Sequence, residues 1–107
     1  SNIYLLEALA EGGISACICD GKNRVRYLKA RSSLLIPASE YKYFGLIPAD
    51  KEVKGVTIDG AKYNLKNAKL ERTNPSFAIS NEVKENFAMV SSKKGGLFVI
   101  ESKDLSK

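Results

Sequence analysis

The 107-residue chain has no histidine and no tryptophan. Without an imidazole there is no Ser–His or Cys–His nucleophile pair, no His-ligated metal and no His pH switch. Cysteine is scarce: Cys17 and Cys19 are the only two. Along a strand, Cα atoms two residues apart are roughly 6.5–7 Å from each other, too far for an ordinary disulfide. No intrachain disulfide is therefore expected, and a reducing, cytoplasmic compartment is the natural setting. Two sulfurs fall short of a structural zinc site's ligand set, so neither a metal nor a cofactor is implied. No run approaches the ~20 apolar residues of a membrane span. The N-terminus lacks the basic start and apolar core of a secretory signal. A Walker loop, a zinc-finger spacing and an RNA-reading octapeptide are all missing.

What is present is 44% hydrophobic, with 17 Lys+Arg against 12 Asp+Glu and a net charge of +5. This composition is too apolar for a disordered chain and supports one domain over residues 1–107, with 102–107 as a fraying polar tail. Residues 3–11 predict a helix. Ile3, Leu5, Leu6, Leu9 and Ala10 share one face, and Glu7 and Glu11 the other. Ser1 or Asn2 caps its start and Gly12-Gly13 stops it.

Two Asp-Gly pairs predict hairpins. In the first, over 14–28, Asp20-Gly21 is the turn. Ile14, Ala16, Ile18, Val25 and Tyr27 are assigned to the core, and Cys17, Cys19, Arg24 and Arg26 to the opposite face. In the second, over 53–65, Asp59-Gly60 is the turn, Ile58 opposes Ala61 and Val56 opposes Tyr63. Between them, Leu34–Ile36 and Tyr41–Phe44 read as short strands. The tetrapeptide Leu-Ile-Pro-Ala occurs at both 35–38 and 46–49, marking two strand ends. Asn74-Pro75 marks a break. Val83, Phe87 and Val90 at i, i+4, i+7 predict a second helix over 82–92, capped by Ser80 or Asn81 and ended by Gly95-Gly96. Leu97–Ile100 reads as an interior strand. The expected class is α+β: a mostly antiparallel sheet of five or six strands with two helices. Its core is assigned to Leu5, Leu6, Leu9, Ile14, Ile18, Val25, Tyr27, Val56, Ile58, Phe87 and Phe98.

Charge is unevenly spread. Residues 1–21 carry three acids and no base, whereas 22–31 carry five bases and no acid. Residues 62–72 add four bases against one acid. A basic sheet face with aromatics beside it suits single-stranded nucleic acid, with phosphates on cations and bases on rings. The expected contacts are Lys22, Arg24, Arg26, Lys29, Arg31, Lys62 and Lys66 for phosphate, and Tyr41 and Tyr43 for stacking. The competing expectation is a protein-interaction module, a homo-oligomer or an inhibitor, docking through Leu34, Ile36, Tyr41, Phe44 and Ile47 or through the N-terminal helix. Glu7 and Glu11 lie on a helix's solvent face, Asp20 and Asp59 belong to turns, and Glu82 and Glu85 to a helix start and its exposed side, so no catalytic group is assigned and a non-enzymatic binding domain is expected.

Overall fold

A computed structural model describes residues 2–74 and 80–103. Ser1, Pro75 and residues 104–107 lie outside the described residues, as do the side chains of Asn2 and Ile3. The expected class holds: a small, mostly antiparallel fold with an N-terminal helix. Helix α1 spans Asn2–Glu11. Among the described residues nine strands follow: β1 (Cys17–Cys19), β2 (Asn23–Leu28), β3 (Ser33–Pro37), β4 (Tyr43–Pro48), β5 (Glu52–Asp59), β6 (Leu65–Glu71), β7 (Asn81–Glu82), β8 (Phe87–Ser91) and β9 (Leu97–Ser102). They form two sheets rather than one, ordered β1-β2-β9-β4-β7 and β3-β8-β5-β6. The paired strands are antiparallel throughout.

The two sheets face each other across one core, as in a β-sandwich. The first contributes Leu28, Phe44, Leu46, Leu97 and Val99, and the second Ile36, Val53, Val56, Ile58, Leu70, Ala88 and Val90. Full burial of each large aliphatic or aromatic side chain here stabilises the fold by about 1.5–3 kcal/mol. Strand β9 is the interior strand expected of Leu97–Ile100, between β2 and β4. The two Leu-Ile-Pro-Ala segments do sit at strand ends, since β3 ends at Pro37 and β4 at Pro48. Helix α1 covers the outside of the first sheet, where the Tyr27 hydroxyl donates to Glu11 at 3.1 Å. The chain leaves α1 through Gly13, whose φ of 86° suits a residue without a Cβ.

Three expectations are corrected. First, residues 82–92 form no helix. Phe87–Ser91 is β8, paired with β3 through Ala88↔Ile36 and Val90↔Leu34 and with β5 through Ile58↔Val90. The i, i+4, i+7 apolar spacing was coincidental. The pattern the sheet uses is alternation, with Ala88 and Val90 buried between Phe87, Met89 and Ser91. Second, the faces of the first hairpin are inverted. Arg24 and Arg26 share the face of Leu28, on the core side, whereas Val25 and Tyr27 point outward to α1. Third, the second hairpin pairs Ile58↔Leu65 and Val56↔Ala68, with two register shifts. Gly55 and Asn67, at φ of 68° and 53°, lie at those irregularities. The core shifts accordingly: Leu6, Val56, Ile58 and Phe98 are buried, but Leu5, Ile14 and Phe87 are exposed. Ser102, assigned to the frayed tail, ends β9 and donates to the Asn23 side chain at 2.8 Å.

Candidate functional site

Three places gather polar or reactive groups. One is the cluster built on Glu101, which is fully buried. Arg24 donates Nε and Nη2 to its two oxygens at 2.9 and 2.7 Å, and Arg26 donates Nε at 3.1 Å. Arg24 also lies over the Tyr41 ring, 4.9 Å from its centroid. The bond to Glu101 holds the Arg24 guanidinium more firmly protonated than usual. Beside these arginines, on β1, the Cys17 and Cys19 sulfurs stand 3.3 Å apart and exposed. That contact raises the Cys19 thiol above its ordinary value.

The second place is a cleft of about 270 Å³ between α1, the β1–β2 hairpin and the start of β3. Leu6, Ile14, Leu28 and Leu34 supply its apolar wall, and Lys29 and Ser32 its polar edge.

The third is the end of the sandwich where the β5–β6 loop meets β4 and β7. Gly60 starts this loop at φ 79°, and a Cβ there would meet the carbonyl oxygen of Phe87. Asn64 accepts from the Ala61 N–H at 2.9 Å. Asn81, only 8% exposed, grips the loop from β7. Its Oδ1 accepts from the N–H groups of Tyr63 and Glu82 at 2.9 and 3.0 Å, and its Nδ2 donates to the Tyr63 carbonyl at 2.7 Å. Backbone bonds from Lys62 to Glu82 and from Lys84 to Gly60 close the frame. This loop is why the second hairpin departs from its expected register: residues 60–64 are drawn across to β7 instead of continuing the β5–β6 ladder.

On that frame stand an exposed ring, a carboxylate and a cation. Tyr63 is 58% exposed. The Lys62 ammonium lies 5.4 Å from the Tyr63 ring centroid and 3.7 Å from a Glu82 oxygen. Close by, Tyr43 pairs with Glu82 across the sheet and carries the Lys42 ammonium 5.7 Å from its ring. An aromatic face with a carboxylate beside it is a place that holds a cation.

The sequence-assigned residues are scattered over these places. Arg24, Arg26 and Tyr41 belong to the Glu101 cluster, and Lys29 edges the cleft. Lys22, Arg31 and Lys66 are exposed and share no cluster with them. Lys62 and Tyr43 stand at the Asn81 end. Of the alternative docking set, Ile36 and Phe44 are in the core, Leu34 and Tyr41 are half-buried and Ile47 is exposed. Reading the sequence missed Tyr63, placed on a core face, Asn81, taken for a helix cap, and Glu82, taken for a helix start.

Residues 31–97 match the vitamin B1 binding domain of thiamin pyrophosphokinase. The chain belongs to that family. Its fold is that of thiamine pyrophosphokinase from Bacillus subtilis, with a TM-score of 0.89 and 28% identity over 97% of this chain and 48% of that one. The enzyme from Geobacillus thermodenitrificans superposes with a TM-score of 0.83 and 30% identity over 98% of this chain and 47% of that one. The yeast enzyme, 18% identical, shares the fold at a TM-score of 0.71 over 94% of this chain and 34% of that one. The chain thus spans about half the length of the bacterial enzymes it resembles. No curated protein sequence matches it.

These findings overturn the expected function. A vitamin-binding family replaces both nucleic-acid binding and the protein-interaction module. The solved relatives are enzymes, against the expectation of a non-enzymatic domain. Arg24 and Arg26, expected on an open basic face, both pair with the buried Glu101. No helix among the described residues is long and apolar enough to cross a membrane.

Proposed function

We propose that this chain acts as one domain, the vitamin-binding part of a thiamin pyrophosphokinase, and that it holds thiamin at the Asn81 end of the sandwich. One observation carries the choice of place. The family match over 31–97 takes in Tyr43, the 60–64 loop and β7, but leaves out Arg24, Arg26, Glu101 and most of the α1 cleft.

The chemistry of that end suits the vitamin. Thiamin joins a permanently cationic thiazolium to a flat aminopyrimidine. Lys62 already places a cation between the Tyr63 ring and the Glu82 carboxylate. A thiazolium takes the same position by displacing the exposed Lys62 ammonium to solvent. An exposed cation–ring contact contributes about 0.5–1 kcal/mol, rising to about 2 when water is excluded. Asn81 acts as a positioning residue: it fixes the backbone of Tyr63 and Glu82, so that ring and carboxylate are pre-arranged. This chain spans about half the length of the bacterial enzymes, and no step of group transfer is assigned to its residues. The exposed thiols of Cys17 and Cys19 support a reducing, cytoplasmic location.

The test is calorimetric titration of thiamin into the wild type and into Tyr63→Ala and Glu82→Gln. Saturable binding to the wild type, weakened about tenfold in each variant, supports the assignment. Equal binding by all three moves the site elsewhere, and no binding to the folded wild type contradicts it.

A further inference from the structure

A pair of thiols on β1 is untouched by this reading. Cys17 and Cys19 are two residues apart in a three-residue strand, so their side chains leave the same face. Strand β1 is at the edge of its sheet and both residues are exposed, so no neighbouring strand covers the approach. Their cross-strand partners are Arg26 and Arg24, which face a single carboxylate, Glu101. The two guanidiniums and the carboxylate are taken up with one another, so the sulfurs are left free to meet a ligand from solvent.

The spacing selects what can bridge them. The sulfurs are 3.3 Å apart. A disulfide must draw them to about 2.05 Å across Cα atoms at the limit of its reach. A bridging atom need not. With bonds to sulfur of about 2.3 Å, two thiolates at the observed separation close on a central atom at roughly a right angle. That angle is natural for a pyramidal, trivalent soft centre. We propose that Cys17 and Cys19 form a bidentate dithiol site for a soft, thiophilic centre of this class, a trivalent arsenical being the type ligand.

With an arsenoxide the step is a condensation and not a redox reaction. Two S–As bonds form, the As=O bond is lost, and the two thiol protons leave with its oxygen as water. The second bond is intramolecular, so the chelate exceeds a single thiolate's hold by about 10²–10⁴. The site stands apart from the Asn81 end and does not rest on thiamin binding.

The probe is phenylarsine oxide, added to the reduced chain and followed by intact mass, with Cys17→Ser and Cys19→Ser for comparison. Both positions are exposed, and circular dichroism of each variant serves as the check on folding. The expected result is one arsenical per wild-type chain. It persists against excess glutathione, a monothiol, and is released by dithiothreitol, a dithiol. Each variant loses its adduct to glutathione at a concentration at least about 100-fold lower. Wild type and variants releasing the arsenical at the same glutathione concentration would show that the sulfurs act singly and would overturn the proposal.

Discussion

Asn81 holds Tyr63 by both of its backbone groups, accepting from its N–H at 2.9 Å and donating to its carbonyl at 2.7 Å. One side-chain amide thus does for the 60–64 loop what a neighbouring strand does in a sheet. Because Asn81 is buried, its loss leaves donors and an acceptor without partners. Asn81→Ala is expected to destabilise the fold by about 2 kcal/mol, read from urea unfolding midpoints. It should also weaken thiamin binding. Asn81→Asp keeps the acceptor but loses the donor to Tyr63, and should fall between the two.

Tyr63→Ala separates binding from folding. The ring is mostly exposed and the frame acts on its backbone, so stability should change by no more than about 0.5 kcal/mol. Thiamin affinity should drop about tenfold, equivalent to roughly 1.4 kcal/mol. A variant that unfolds early would mean that the ring has a structural role.

Gly60 tests the loop's geometry. Its positive φ and the closeness of a Cβ to the Phe87 carbonyl both oppose any side chain. Gly60→Ala is expected to lower stability by about 1–3 kcal/mol, and its thermal midpoint gives the comparison. An unchanged midpoint would mean that the loop adopts another backbone path.

Glu101 is the anion on which two cations depend. Glu101→Leu leaves Arg24 and Arg26 facing each other beside the core. The guanidiniums keep about a quarter of their exposure, so the expected loss is about 3 kcal/mol, the low end for a broken buried pair. Replacing both arginines with Ala should also destabilise, because it strands the buried carboxylate. Chemical denaturation of the single, double and triple variants would show the coupling as strong non-additivity.

Asp20 gives the pH dependence a sign. Backbone N–H groups of Lys22 and Asn23, both at 2.7 Å, hold its carboxylate below the ordinary aspartate value. Its contribution is therefore present above the unfolded value of about 3.9 and lost as pH falls through the lower folded one. Asp20→Asn should lower the thermal midpoint at neutral pH and match the wild type in strong acid. A constant difference across the range would rule out the charge as its cause.

How far the sequence carried the fold depended on the range of the interactions. Helix α1 and the turn at Asp20-Gly21 are local, and both are where capping and turn chemistry put them. Alternation sorted the first hairpin's residues into two sets but could not say which set faced the core. Both faces of that sheet are covered, one by α1 and one by the second sheet. The partner that draws Arg24 inward, Glu101, is 77 residues away in sequence. Residues 82–92 carry a helical spacing that pairing with Ile36 and Ile58 overrides. The site was hidden for the same reason: Asn81 acts on Tyr63 from 18 residues away, through a loop that looked like continuing strand.

The most direct test of the account is a thiamin titration of the isotopically labelled chain followed by amide chemical shifts, which locate a site even at millimolar affinity. With thiamin held at the Asn81 end, saturable shifts concentrate at residues 60–64, at 81–84 and around Tyr43, with β1 and the α1 cleft unmoved. Saturable shifts that map to the α1 cleft or to the Glu101 cluster, with the Asn81 end silent, would contradict it.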